Sequence, residues 1–284
     1  MRGLAAILLA GLILPAALPA LAQSSGQNTG LRALNDREDV LGWEAVGRLD
    51  TGREGFCTAT LIAPDQVLTA AHCVFRDGRL REPGSMIFRA GLHNGTAIAE
   101  REVAAIAVPP AYRPIAHMDI SNVPHDVALL RLAQPITSAE ADPFILHEGG
   151  VAGEAISVTS YGEGRSEALS RQRVCRIVGR QAPLLAFDCD VTFGSSGAPV
   201  FIHQGGHQGG HQGGRGRILS IISGGGAIDG APVSLGMDLP QVVAGLKADL
   251  RRQGVAAPAP GVRILGAGDG RTSSGAKFVR PGGS

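Results

Sequence analysis

Residues 192–199 read TFGSSGAP, a stretch in which two serines lie between two glycines and a proline ends the run. Apolar, strand-like residues flank it on both sides, so the chain must turn sharply here. Glycine permits backbone angles that other residues avoid, and such a turn can hold a small side chain outward beside converging amide N–H groups. The stretch therefore fits a serine nucleophile, and it also fits a plain Gly/Ser loop between two strands.

The N-terminus has the features of an export signal. Arg2 precedes a long apolar run, and residues 20–22 (ALA) form a small-residue cleavage signal. We therefore expect residues 1–22 to be a signal peptide, residues 23–41 to be a pro-segment or arm, and the protein to be secreted or periplasmic. A membrane anchor is the alternative, but two prolines interrupt the run and no basic cluster follows it.

Composition narrows the classes of partner. The 284 residues include 26 Lys and Arg against 25 Asp and Glu, so the chain lacks the basic excess typical of proteins that bind nucleic acid or anionic membranes. No second apolar stretch of the sequence is long enough to span a bilayer. We expect a monomer without cofactor or metal, bound neither to nucleic acid nor, after signal removal, to a membrane.

The four cysteines form an even set, which in an exported chain favours two disulfides. Sequence alone leaves three pairings open. We favour Cys57 with Cys73 and Cys175 with Cys189. A zinc site is the alternative, but the chain has no C-x-x-C pair of the kind that structural zinc sites use.

Most apolar runs are short, rich in Val, Ile, Leu and Thr, and separated by Gly, Pro, Asp or Asn, which is typical of an all-β protein. The clearest strand-like runs are Cys57 to Ala63, Val67 to Cys73, Met86 to Leu92, Ile98 to Val108, Val127 to Leu132, Ala155 to Ser160, Ala198 to His203 and Ile218 to Ser223. Apolar residues recur at helical spacing from Leu239 to Arg252 and predict one helix. A seam between two halves is expected at 133–150, and the Gly/Pro-rich residues 254–284 predict a disordered tail.

Two further motifs carry residues suited to proton transfer. LTAAHC (68–73) places His72 at the end of a predicted strand, and histidine can take and return a proton near neutral pH. HDVALLRL (125–132) places Asp126 at the mouth of an apolar strand, where a buried carboxylate needs donors such as a histidine N–H. Alone, His72 also fits a structural histidine and Asp126 a turn cap. Asp119 is a weaker candidate because its strand context is poorer.

Ser196 lies where the 192–199 turn presents a hydroxyl, and the N–H groups of Gly194 and Ser196 could form an oxyanion hole. The joint occurrence of His72, Asp126 and Ser196 in an exported, disulfide-bearing, all-β chain indicates one site. An α/β-hydrolase would need a G-x-S-x-G elbow and the chain order Ser, Asp, His, and this sequence has neither.

The three motifs LTAAHC, HDVALLRL and GSSGAP resemble the signature blocks of trypsin-like, chymotrypsin-fold serine endopeptidases, most closely the bacterial glutamyl-endopeptidase-like branch. The resemblance covers Trp43 to Arg252. It implies an all-β fold of two antiparallel six-stranded β-barrels with the active site in the cleft between them, followed by a C-terminal helix. The protease domain would span 42–253, with barrel 1 near 42–138 and barrel 2 near 139–253.

The same resemblance implies an endopeptidase that acts on polypeptide substrates. Ser196 would attack the scissile carbonyl, His72 would carry the proton, Asp126 would orient the imidazole, and the Gly194 and Ser196 amides would receive the oxyanion. Digestive members place an aspartate before the nucleophile to pair with a newly cut N-terminal amine, but this chain has Ser195 there. We therefore expect signal-peptide removal to suffice for activation, with Arg37 as a candidate site of further trimming.

Substrate preference depends on Asp190, six residues before Ser196, where members that cut after Arg or Lys carry the acid of their primary pocket. Asp190 thus predicts a basic preference, with a structural or solvated aspartate as the alternative. A preference for Glu lacks a histidine on the wall strand, where Ile222 stands instead. The other candidate substrate-binding residues are Ser223, Gly224 and Gly225.

The repeat HQGGHQGGHQGG (203–214) invites a metal assignment, but its paired glycines disfavour the helix that would align the histidines. A flexible hairpin tip is the preferred interpretation. A catalytically inactive protein of the same fold, used for binding or adhesion, is the rival function, because a fold does not guarantee chemistry. The intact set of His72, Asp126, Ser196 and Gly194 argues against that rival.

Overall fold

The computed structural model describes residues 30–52, 55–115, 119–148, 155–203 and 216–254. The predicted signal peptide, the HQGG repeat beyond His203 and the predicted tail beyond Gly254 lie outside these ranges. The strands are β1 (Leu31–Ala33), β2 (Val46–Asp50), β3 (Phe56–Ala63), β4 (Gln66–Thr69), β5 (Phe75–Arg76), β6 (Arg79–Leu80), β7 (Ile87–Ala90), β8 (Ala99–Ala107), β9 (Ala128–Leu132), β10 (Ile156–Gly162), β11 (Arg165–Cys175), β12 (Ile177–Gln181), β13 (Leu184–Phe187), β14 (Pro199–Ile202), β15 (Arg217–Ile221), β16 (Gly224–Ile228) and β17 (Ala231–Met237). One α-helix, α1 (Pro240–Gly254), ends the described chain.

The first half is a closed antiparallel barrel in the order β2-β3-β4-β9-β8-β7. Its interior is filled by large apolar side chains, including Leu49, Leu68 and Phe88, none of which is exposed to solvent. The register of β4 with β9 places Thr69 opposite Ala128. Because His72 follows Thr69 closely and Asp126 closely precedes Ala128, this strand pairing brings the two predicted site residues to the same end of the barrel.

The second half consists of two sheets, β1-β11-β10-β14-β15 and β12-β13-β17-β16. The predicted all-β, two-barrel fold is confirmed, but in detail this half is not a single six-stranded barrel. The pairing of β10 with β11 is interrupted by register shifts at 156–158 and 160–162, and such bulges bend a sheet. The chain crosses from the first sheet to the second at Arg176, returns between Phe187 and Pro199, and crosses again between Ile221 and Gly224.

The N-terminal residues from Gly30 onward are built into this fold. Strand β1 pairs with β11, where Leu31 lies opposite Gln172 and thereby adds an edge strand to the first sheet. Val40 is fully buried, and the Arg37 guanidinium donates to the carbonyl oxygens of Gly91 at 2.7 Å and Thr96 at 3.0 Å. Trimming after Arg37 would therefore remove β1 and would change the residue whose side chain makes these two hydrogen bonds.

The two halves are joined by a shared aromatic cluster and flanked by α1. Ring centroids of Trp43 and Phe201 lie 5.2 Å apart, and those of Phe144 and Phe201 lie 4.6 Å apart. Helix α1 packs on β8 and β9 of the first barrel, where Arg131 donates to the Leu250 carbonyl at 3.1 Å. The helix predicted from Leu239 to Arg252 therefore coincides with α1 to within two residues.

One predicted strand ends earlier than expected. The run Val67 to Cys73 was assigned to a strand, whereas β4 stops at Thr69 and residues Ala71–Val74 form a 3-10 helix. The backbone N–H of His72 donates to the Asp126 carboxylate at 2.8 Å, and a group satisfied by a side chain in this way cannot pair with a neighbouring strand.

Candidate active site

His72 is held from two sides. Cys73, next to it on the 3-10 helix, is disulfide-bonded to Cys57 on β3. The ring nitrogen Nδ1 lies 2.8 Å from Asp126 Oδ2, and the backbone N–H donates to Asp126 Oδ1 at 2.8 Å. A carboxylate can only accept, so Nδ1 carries the hydrogen and Nε2 is left as the basic nitrogen. The side chain is 39% exposed, so Nε2 can meet a ligand from solvent.

Asp126 is buried, and each of its oxygens has a donor. Besides His72, the hydroxyl of Ser223 donates to Asp126 Oδ2 at 2.5 Å. A buried carboxylate is tolerated only when its acceptor sites are filled. Ser223, predicted only as a substrate-binding residue, thus contacts the predicted triad directly.

Ser196 lies in the turn at 192–199, on the same cavity as His72 and Asp126. Its carbonyl accepts the N–H of Thr58 on β3 at 2.9 Å, and the next residue, Gly197, donates to the Ile222 carbonyl at 2.7 Å. Across the part of the chain that the structure describes, no hydrogen bond joins the Ser196 hydroxyl to His72. Such bonds are often long in ligand-free sites and shorten when substrate binds.

Gly194 has the geometry expected of an oxyanion-hole residue. Its φ is +90°, and an added Cβ would lie 2.3 Å from the Phe56 ring. The carbonyl of Phe193 accepts the Glu163 N–H at 2.7 Å, and because a trans peptide is planar, the Gly194 N–H points to the opposite side. Among the described residues, neither the Gly194 nor the Ser196 N–H donates to a protein acceptor, so both are available to a ligand.

The site opens into a cavity of about 720 Å³. Its lining is mainly apolar on the side of Ser196, with Val191, Phe193 and Ile222, and the Phe193 ring is 86% exposed. Tyr112 also lines the cavity, and burial and, secondly, the charge of Asp126 raise the pKa of its hydroxyl. The cavity therefore combines a polar catalytic edge with an apolar surface that can hold a side chain.

The structure places the other predicted site residues as follows. Gly224 and Gly225 line the cavity at the start of β16, together with Ser223. Asp190 does not line it: its side chain is exposed, and its backbone N–H donates to Gln172 Oε1 at 2.7 Å. Asp119 lies at the rim, 2.9 Å from the Arg113 guanidinium. It is the alternative aspartate that does not reach His72, because Asp126 occupies that position.

Both predicted disulfides are present, Cys57–Cys73 and Cys175–Cys189. The described residues contain one group of potential metal ligands, Cys57, His72 and Cys73. Both cysteines are oxidised, so neither can act as the thiolate that zinc requires. The zinc alternative considered for the cysteines is therefore wrong for this pair.

Sequence reasoning missed three residues of the site region. Phe193 and Tyr112 line the cavity, and Arg165 contacts the turn that carries Ser196. Phe193 could have been noted as a large apolar residue within a Gly/Ser turn, where a purely structural loop would not need one. Arg165 gives no such signal, because it lies 30 residues before Ser195 in the chain and meets it only in the folded structure.

Within the described ranges, no helix is both long and apolar enough to cross a membrane.

The brachyurin of Leptuca pugilator is 30% identical over 145 residues, which cover 49% of this chain and 58% of that relative's length. A solved structure of a Glu endopeptidase in complex with MPD superposes with a TM-score of 0.61 at 16% identity, covering 80% of this chain and 99% of the other, which supports the fold. The model of the trypsin-like peptidase domain matches residues 57–207, more than half of the chain and a range that includes His72, Asp126 and Ser196. The chain therefore belongs to the trypsin-like peptidase domain family.

Proposed function

We propose that the protein is an exported serine endopeptidase that hydrolyses peptide bonds through His72, Asp126 and Ser196. The observation that carries the proposal is the fixed imidazole. Asp126 accepts hydrogen bonds from the backbone N–H and from the ring Nδ1 of His72, and both residues line the cavity that Ser196 also lines. Two disulfides accord with an oxidising environment outside the cytosol.

In the first step, Ser196 Oγ attacks the scissile carbonyl carbon while His72 Nε2 takes the hydroxyl proton. The carbonyl oxygen becomes an oxyanion and accepts hydrogen bonds from the Gly194 and Ser196 amides. His72 then gives the proton to the leaving amine, the C–N bond breaks, and an acyl ester remains on Ser196. Water, deprotonated by His72, hydrolyses that ester and releases the carboxylic acid product with Ser196 restored.

Asp126 stabilises the imidazolium that forms in both halves of the reaction, and Ser223 holds Asp126 in place. A single oxyanion-hole donor contributes roughly 2.7 to 4 kcal/mol to transition-state stabilisation in enzymes of this mechanism. The available amides of Gly194 and Ser196 are thus essential parts of the proposed site.

For the substrate side chain next to the cut bond, we propose an uncharged, apolar preference. Val191 and Ile222 line the cavity beside Ser196, and the glycines at 224–225 leave room for a bulky group. The basic preference suggested by Asp190 loses its support, because that carboxylate is exposed and lies outside the cavity lining. A solvated aspartate, the alternative interpretation of Asp190, agrees with this placement.

Labelling with a fluorophosphonate probe tests the proposed activity. We expect covalent modification of Ser196, located by mass spectrometry, and loss of labelling in His72→Ala and Ser196→Ala. Ser85→Ala, at an exposed serine that does not line the cavity, is the matched control and should label like the wild type. Absence of labelling in protein with both disulfides formed would favour the inactive binding protein instead.

A peptide library tests the preference. We expect cleavage after apolar residues, unchanged in Asp190→Ser, because this carboxylate does not face the cavity. Gly225→Val should shift cleavage towards smaller residues, since a side chain there would enter the cavity. Cleavage after Arg or Lys that disappears in Asp190→Ser would contradict the apolar assignment and restore the basic one.

A further inference from the structure

Ser195, the residue between the two oxyanion donors, is completely buried and its hydroxyl has four neighbours. It accepts the Thr192 N–H at 3.2 Å and an N–H of Arg165 Nη2 at 3.1 Å. Its own hydrogen faces the Tyr161 carbonyl at 3.2 Å and the Ser160 hydroxyl at 3.4 Å. A hydroxyl has one hydrogen and two lone pairs, so these contacts use its full capacity. The orientation of Ser195 is therefore fixed by its surroundings.

Arg165 is the charged member of this network. Besides Ser195, its guanidinium donates to the Ser160 carbonyl at 2.7 Å and to the Ser160 hydroxyl at 3.1 Å. Space for it exists because residue 162 is glycine: an added Cβ would lie 2.5 Å from Arg165 Nη2. Arg165 thus fills a place shaped by Ser160, Gly162 and Ser195.

This cation has only neutral acceptors. No carboxylate lies within 4.0 Å of Arg165 in the described part of the chain, although the residue is partly buried. Burial lowers the pKa of the guanidinium to about 10, which still leaves it charged at neutral pH. An internal cation without a counter-ion costs stability, so its presence calls for a compensating role.

We propose that Arg165 is a positioning residue for the oxyanion hole, a cation internal to the fold that holds Ser195 and thereby the amides of Gly194 and Ser196. The inference rests on the proposed peptidase function. It gives the turn at 192–197 a permanent anchor, so a correctly arranged oxyanion hole does not require a newly formed N-terminal ammonium. The amide donors on either side of Ser195 would lose their fixed direction if the guanidinium were removed.

The test compares Arg165→Met, Arg165→Lys and Arg165→Ala with the wild type. The readouts are the rate of fluorophosphonate labelling and the inhibition constant of phenylboronic acid. Both reagents form tetrahedral adducts at the nucleophile that use the oxyanion hole. We expect Arg165→Met to slow labelling and weaken phenylboronic acid by about 10- to 100-fold, less than the loss of a whole oxyanion donor. Arg165→Lys, which keeps the charge, should recover part of both. Arg217→Met, at an exposed arginine of the same half, should match the wild type.

Guanidinium ion separates positioning from simple stability. Added to Arg165→Ala at concentrations far below those that unfold proteins, it should raise the labelling rate by occupying the vacated place. If Arg165 served only the stability of the fold, guanidinium would lower that rate, because it is a denaturant. Equal labelling and inhibition in wild type and Arg165→Met would overturn the inference while leaving the peptidase function intact. A wild type that does not label would overturn both, and if Arg165→Met fails to fold, an Arg165→Lys variant as slow as Arg165→Ala would also count against it.

Discussion

Gly197 shows, at the scale of one residue, how closely the turn bearing Ser196 is packed. Its φ is +77°, and an added Cβ would lie 2.2 Å from Thr69 Oγ1, 2.3 Å from the Thr58 carbonyl oxygen and 2.9 Å from the Ala70 nitrogen. The turn is thus pressed against β3 and the end of β4, the elements that also carry the anchor points of His72. Packing of one glycine therefore sets the separation between the serine and the histidine.

Gly197→Ala should accordingly destabilise the protein by more than about 2 kcal/mol, because backbone atoms on two sides must move and a positive φ is strained for alanine. Urea unfolding measures the loss. Gly225→Ala is the control, since its Cβ would make only an ordinary contact of 3.6 Å with the Val233 carbonyl. Equal stability of Gly197→Ala and wild type would show that the turn can relax away from β3.

Ser223→Ala should slow fluorophosphonate labelling by about tenfold, since hydrogen bonds to charged groups are worth roughly 1.5 to 3 kcal/mol and Asp126 would keep its two contacts to His72. Ser220→Ala serves as the control, because the Ser220 hydroxyl donates to the Met237 carbonyl at 2.8 Å, away from Asp126. Labelling rates that fall equally in both variants would assign the effect to stability.

At the scale of elements, β4 and β9 determine where the site forms, while α1 supports the first barrel from outside. Leu246 on α1 is buried, and the helix packs on β8 and β9. None of the residues of α1 lines the cavity. Stability and activity should therefore respond differently to changes in this helix.

Leu246→Ala should lower the free energy of unfolding by about 2 to 5 kcal/mol, the usual range for deleting a buried leucine side chain. In the protein that remains folded, the labelling rate of Ser196 should equal that of wild type. Gln241→Ala, at an exposed position of the same helix, provides the comparison. A slower labelling rate in folded Leu246→Ala would mean that α1 influences the cavity through the barrel.

The strands that are predictable from the sequence and those that are not differ in the polarity of their buried residues. Strands β3, β9 and β10 are apolar runs bounded by turn residues, and these are the features that predict a strand from sequence. Strand β11 buries Ser170, Arg171 and Gln172, so its eleven residues lack an apolar alternation. Strand β16 is a glycine run at a sheet edge, for which strand propensity gives no signal.

At the scale of the whole molecule, protonation of His203 makes the stability of the fold depend on pH. It is buried, with Nε2 2.8 Å from the Ser157 hydroxyl, and burial followed by the charge of Arg171 lowers its pKa to about 4. Unfolding returns the imidazole to an ordinary pKa of about 6.5. Between these values the unfolded chain binds more protons than the folded protein.

The protein should therefore be fully stable above about pH 6.5 and lose on the order of 2 to 3 kcal/mol as the pH falls towards 4. Urea unfolding at several pH values measures this loss. His203→Gln should flatten the curve in that interval. A wild-type curve without a slope between pH 6.5 and 4 would contradict the burial of a neutral imidazole.

The site was predictable from sequence to the extent that each motif carries its own chemistry. His72, Asp126 and the turn around Ser196 are each recognisable within about eight residues, and the structure places them at one cavity. The role of Asp190 stays a prediction, because it rests on distance along the chain from Ser196, and the residue itself is exposed and does not line the cavity. Contacts between residues of the two halves, such as that of Ser223 with Asp126, could not be predicted from local sequence.

The Cys57–Cys73 bond ties the histidine-bearing 3-10 helix to β3. Cytosolic thiols would keep these two sulfurs apart, so a newly made chain would hold its imidazole loosely while it remained inside the producing cell. Under the proposed export, oxidation outside the cytosol would form this bond and fix His72 where the proposed peptidase can act without harm to the producing cell. The redox state of the compartment, and not a proteolytic cleavage, would thus control when the proposed peptidase becomes active.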